Sequence, residues 1–374
     1  MINIRFVLII CPFYHSITVT TMLRAADKDG KTGFIIACEE GKIDIVKACL
    51  QNPSSGLMIR EADKYGQTGF IKACLRDRTD VVLALLQHPD SDTIIRAADR
   101  DGQTGFIAAC HLGHASIVNA CLEHSEGEAM VKSADKNGET AFIIACQWGY
   151  LDIVEACLQH QQAKTLVKAA DRYGQTGFIL ACHNKRMEIV EACLQHSEAE
   201  AMVRSADFDG NSGFIRACQR GNIEIVKTCL QYPTAEIMLR AADKDGQTGF
   251  VVACDLGHTG VVIACLEHPK VERIVRASDI DGQTGFIKAC LRNRTDIVKT
   301  CLEHPMSLDM IKAADVNGKT GFILACENGR IDIIKACLEH HESSTMIKAA
   351  DKDGKTGFDI ASERRNTEVL KLFQ

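Results

Sequence analysis

An aspartate recurs every 36 residues from Asp27 to Asp351, through Asp63, Asp99, Asp135, Asp171, Asp207, Asp243, Asp279 and Asp315. A fixed period of this size requires one small structural unit repeated along the chain, and it has to be recognised before local signals are read. Counting each aspartate as place 1, Gly holds place 4, Thr or Ser place 6 and Phe place 8 in all ten units. Cysteine holds place 12 in nine units and place 23 in eight; with Cys11 these are all 18 cysteines of the chain. The period divides the 374 residues into an N-terminal segment (1–26), nine full units (27–350) and a shorter last unit (351–374).

Local physics predicts the unit, as in residues 99–134. Asp99-Arg100-Asp101-Gly102 reads as a turn, because Gly accepts positive φ and Asp bonds its own following backbone. Thr104 is placed to cap a first helix whose apolar face carries Phe106, Ile107, Ala109 and Cys110. Gly113 ends it, and a second helix follows with Ile117, Val118, Cys121 and Leu122 on one side. Prolines 53, 89, 233, 269 and 305, all at place 27, stop that second helix. Helix pairs this short cannot bury an apolar face alone, so the units must stack, and an all-α solenoid, elongated and curved, is expected.

The motif D-x-x-G-x-T-G-F-x-x-A-C-x-x-G-x-x-x-I-V-x-x-C-L resembles the ankyrin repeat. The likeness runs from residue 27 to 374, and the last unit, with Asp359 and Ser362 at usually apolar places, resembles a C-terminal capping repeat. Gly replaces the family's Pro at place 7 (Ala141 once), Ile or Val replaces its His, and the period is 36 in place of 33. The three added residues fall between the second helix and the next turn, where an extra helical turn can form.

The resemblance implies a non-enzymatic scaffold or adaptor that binds one or more partner proteins through turn tips and the exposed end of the first helix. Variable places there carry His111, Leu112, Gln147, Trp148, Tyr173, His183 and Phe208. Two basic trios, Lys72, Arg76 and Arg78 in the second unit and Lys288, Arg292 and Arg294 in the eighth, are candidate docking points for acidic segments.

Other classes are disfavoured. No phosphate-binding loop, zinc-protease helix or nucleophile elbow occurs, so no catalytic residue, cofactor or small-molecule substrate is expected. The cysteines stand where ankyrin repeats carry Ala and Leu and read as packed thiols, which suits a reducing cytoplasm or nucleus ahead of secretion. A histidine ladder (His88, His124, His160, His196, His268, His304, His340) is spaced by layers roughly 10 Å apart, too far to share an ion, so it reads as helix capping and no metal is assigned. An Arg/Lys ladder from Arg24 to Lys348 reads as a local partner for each aspartate; the competing reading is a stripe for a polyanion or nucleic acid, which a net charge of -6 does not favour. Residues 1–20 read as a remnant half-unit ahead of a weak signal-like stretch, the alternative that would make the protein secreted or membrane-linked.

Overall fold

The computed structural model describes residues 24–374. The expectations for residues 1–20 lie outside these. The chain divides into two compact parts, Met1–Gly177 and Phe178–Gln374. Among the described residues every regular element is helical, and both parts are all-α repeat arrays in which each helix packs on its counterpart in the unit before.

Each unit opens with a finger closed by a single bridge between places 0 and 6, as between Ala98 and Thr104. Within it Asp99 Oδ1 accepts the N–H groups of Asp101 (3.0 Å) and Gln103 (2.9 Å), and Gly102 turns the chain at φ 78°. The first helix, Gly105–Leu112, is capped by the Thr104 hydroxyl, which accepts from the Ile107 N–H, and ends at Gly113 in the left-handed conformation. The second, Ala115–Glu123, buries Ile117, Val118, Cys121 and Leu122. The extra residues of the long period then form a third, short helix, Gly127–Val131, which sets Met130 and Val131 into the core. The unit is therefore finger and three helices, one helix more than the motif alone specifies.

Where place 15 lacks glycine, the left-handed turn persists at a cost: Asp77, Lys185, Asn293 and Arg365 all hold φ between 54° and 61°. A side chain in this region costs about 1–2 kcal/mol, least for Asn and Asp.

The core is a column of place-8 phenylalanines flanked by the place-12 cysteines. Glycine at place 7 lets successive layers close. A Cβ on Gly105 would stand 2.7 Å from the Phe70 ring and 3.1 Å from Cys74 Sγ, and Gly285 meets Phe250 and Cys254 in the same way. The 17 cysteines among the described residues are buried and form no disulfide. Burial pushes the Cys121 and Cys157 thiols up to about 12, so they are protonated and inert at neutral pH.

Candidate functional site

The fingers form the most regular surface. The place-2 N–H of one finger donates to the place-3 carbonyl of the finger before: Lys64 to Asp29 (2.9 Å), Arg100 to Tyr65 (3.0 Å) and Arg172 to Asn137 (2.8 Å) in the first part. Lys244 to Asp209, Ile280 to Asp245, Val316 to Asp281 and Lys352 to Asn317 repeat the bond in the second. The tips therefore present fixed backbone from which places 2 and 3 project.

The aromatic candidates are exposed. Trp148 is 51% and Leu112 48% accessible, both at place 14 in consecutive repeats of the first part. Tyr173, on a fingertip, is 54% exposed and carries the Arg172 guanidinium 4.8 Å from its ring centroid. In the second part Phe208, also on a fingertip, is 65% exposed. His111 and Gln147 are half-buried at place 13. His183, half-buried at the same place, accepts from Arg220 Nη2 at 2.6 Å, and burial, then the charges of Arg220 and Arg216, lower its pKa.

The basic trios are corrected by the structure. Lys72 and Lys288 are only 7% and 8% exposed, paired with Asp63 Oδ2 at 3.0 Å and Asp279 Oδ2 at 2.7 Å. Arg76 pairs with Glu39 while Arg78 donates to the Glu39 carbonyl; Arg292 and Arg294 treat Asp255 in the same manner. Each trio is thus a staple onto its own aspartate and the preceding repeat, with its charge already met. The signal was present in the sequence: lysine or arginine stands at place 10, an otherwise apolar place, only in Lys72, Arg216 and Lys288, and Arg216 pairs with Asp207.

The Arg/Lys ladder also differs from expectation. Its members do not pair with the place-1 aspartates, whose Oδ1 atoms are committed to the fingers. Arg24, Arg60 and Arg96 reach Glu61, Asp90 and Glu126 in following segments, and Lys132, Arg204 and Arg240 pair one helical turn back.

The histidine ladder caps, but across layers. His124 Nδ1 accepts the Glu126 N–H at 3.1 Å, and its Nε2 lies 3.1 Å from the Leu86 carbonyl of the preceding unit. His340 repeats both contacts with Glu342 and Leu302. One nitrogen must accept and the other donate, which fixes the neutral Nε2–H tautomer.

One junction breaks these rules. Between the third and fourth repeats the finger bond from Lys136 N–H to the Asp101 carbonyl is absent, and a Cβ on Gly102 would meet nothing within 4 Å. Ala141 stands there in place of the layer-closing glycine, fully buried. The same junction brings together His111, Asp135 and Glu139, whose ligand-type atoms lie within 4.8 Å of one another. Burial first, then the Asp135 and Asp171 carboxylates, raise the Glu139 pKa. Ladder arithmetic could not find this set because His111 lies off the ladder; its signal was Glu139, the one acid at place 5.

Among the described residues no helix is long and apolar enough to cross a membrane. Comparison with curated proteins finds no match. A family model described as ankyrin repeats (3 copies) matches residues 8–97 and 92–169. The finger, capped helix pair and glycine turn seen there continue at the same period to the C-terminal end, and the chain is an ankyrin-repeat protein.

Proposed function

We propose that this chain is a non-enzymatic scaffold that binds partner proteins through its fingertips and the exposed ends of its first helices. The observation that carries this reading is how polar and apolar groups are divided over the unit. Repeated aspartates, threonines, histidines and most ladder cations are committed to internal hydrogen bonds and ion pairs, leaving no constellation arranged for catalysis among them. The variable places instead project large apolar groups from rigid backbone: Leu112, Trp148 and Tyr173 in the first part, Phe208 in the second. Aromatic side chains on a fixed support bury much area at little entropic cost, which is how interface anchors work.

The polyanion reading loses its main support, because ladder cations are already paired with carboxylates and the chain is acidic overall. The buried thiols favour a reducing cytoplasmic or nuclear setting.

Affinity capture from the native source tests the proposal, with the wild type and the Trp148→Ala/Tyr173→Ala variant as parallel baits. Proteins retained by the first and lost by the second are the expected result. Identical captures would place the interface elsewhere, and capture of nucleic acid that falls steeply with salt would favour the polyanion reading.

A further inference from the structure

We propose that the junction between the third and fourth repeats binds one divalent transition-metal ion of the zinc class, held by His111 Nε2 and the carboxylates of Asp135 and Glu139. The argument begins with what surrounds the place-1 aspartate elsewhere. Asp63, Asp207 and Asp279 each face a cation from place 10, and place 5 is otherwise Gln, Asn or Lys. The fourth repeat reverses both choices: place 10 is Ile144 and place 5 is Glu139. The Asp135 side chain, only 10% exposed, therefore receives no lysine or arginine. Its Oδ1 accepts from Asn137 and Glu139 N–H groups, while Oδ2 faces the Glu139 carboxylate and His111 Nε2, the latter at 3.5 Å. Two carboxylates and one neutral imidazole make a site of charge about -2, which a divalent ion neutralises.

Geometry and donor type select the ion. Zinc bonds of about 2.1 Å give a tetrahedral edge of roughly 3.4 Å, close to the separation of His111 Nε2 from Asp135 Oδ2. One imidazole and two carboxylates suit zinc and its first-row neighbours, with water at a further position; calcium, which takes about 6–8 oxygens, is poorly served. The open finger junction gives the donors access, since the backbone bond that closes other fingers is absent here. His111 belongs to the third repeat and both carboxylates to the fourth, so the ion would clasp the one pair of fingers that lacks its own tie.

The test uses the full chain, stripped of metal by chelation and titrated with ZnCl2 alone in a reductant that does not bind zinc. One equivalent of saturable binding and a raised melting temperature are expected. Glu139→Gln and His111→Gln should each weaken binding by at least about tenfold and remove the melting shift. Both variants restore residues the array already uses at these places, as in Gln103 and Gln147, so both should fold. Co2+ in place of zinc should show visible d–d bands without thiolate charge transfer. No saturable binding to the wild type, meaning that the carboxylates share a proton instead, would overturn the proposal. Binding unchanged in both variants, or a thiolate signature, would overturn it as well by placing the ion on cysteines.

Discussion

Replacing Gly105 with alanine adds one methyl group to the closest contact in the stack. The new Cβ would lie 2.7 and 2.8 Å from two Phe70 ring carbons and 3.1 Å from Cys74 Sγ. Ordinary contact begins near 3.4 Å, so the layer must open by roughly 0.7 Å or the Phe70 ring must leave its well. Alanine gains at most about 1 kcal/mol over glycine from helix propensity, and less at the first helical position. Overpacking a filled core costs about 1–3 kcal/mol. The expected net loss is about 1–2 kcal/mol, read as a lower urea midpoint by far-ultraviolet circular dichroism. Phe70→Leu in the same chain should recover part of it, with a coupling of at least about 0.5 kcal/mol in the double-mutant cycle. Alanine at position 105 raising stability by its full helix propensity, with no coupling to Phe70, would refute the account of why glycine holds place 7.

Other perturbations separate the remaining forces. Lys185→Gly should stabilise the chain by about 0.5–1 kcal/mol by relieving a left-handed side chain, net of glycine's added freedom when unfolded, and thermal melting checks it. Lys288→Ala, which strands a buried Asp279 carboxylate, should cost about 3–5 kcal/mol, whereas Lys288→Met/Asp279→Leu should cost much less in the same assay. In metal-free buffer, Glu139→Gln should raise the melting temperature at pH 7, with the gain fading as pH falls towards 4.5. A carboxyl whose folded pKa is raised destabilises the fold only where it is ionised, so its cost disappears once the unfolded group is also protonated. The reverse holds for His268: burial, then Lys270, lower its pKa, so the unfolded chain takes up the proton first and stability declines as pH drops below 6.5. His268→Gln should flatten that decline in melts between pH 7 and 5.

Much of the fold was legible because periodicity averages out local ambiguity: ten copies of Thr or Ser before Gly-Phe locate ten helix starts. The third short helix was only partly legible, since segments such as Ala235–Arg240 are shorter than a helical period can be read over. Exposure of Trp148, Tyr173 and Phe208 followed from their places on the lattice. The pairing of charges did not, because a partner 30 to 39 residues away, such as Glu126 for Arg96 or Asp255 for Arg294, depends on how layers superpose and not on spacing within one unit. The His111–Asp135–Glu139 set failed for the same reason, as its members join only across a junction.

The stacked cysteines have a practical consequence. Almost every layer carries two thiols that are unreactive while the layer is closed and ordinary once it opens, and labelling chemistry consumes only the opened form. Alkylation followed by mass spectrometry at successive times would therefore assign an opening rate to each repeat of the unmodified protein. Cys74 and Cys110, which burial holds far above the usual thiol range, stand at the inner layers of the first part, and Cys337 lies near the C-terminal end. The order in which such residues react would trace where unravelling begins and how far it travels, with no probe added to the chain.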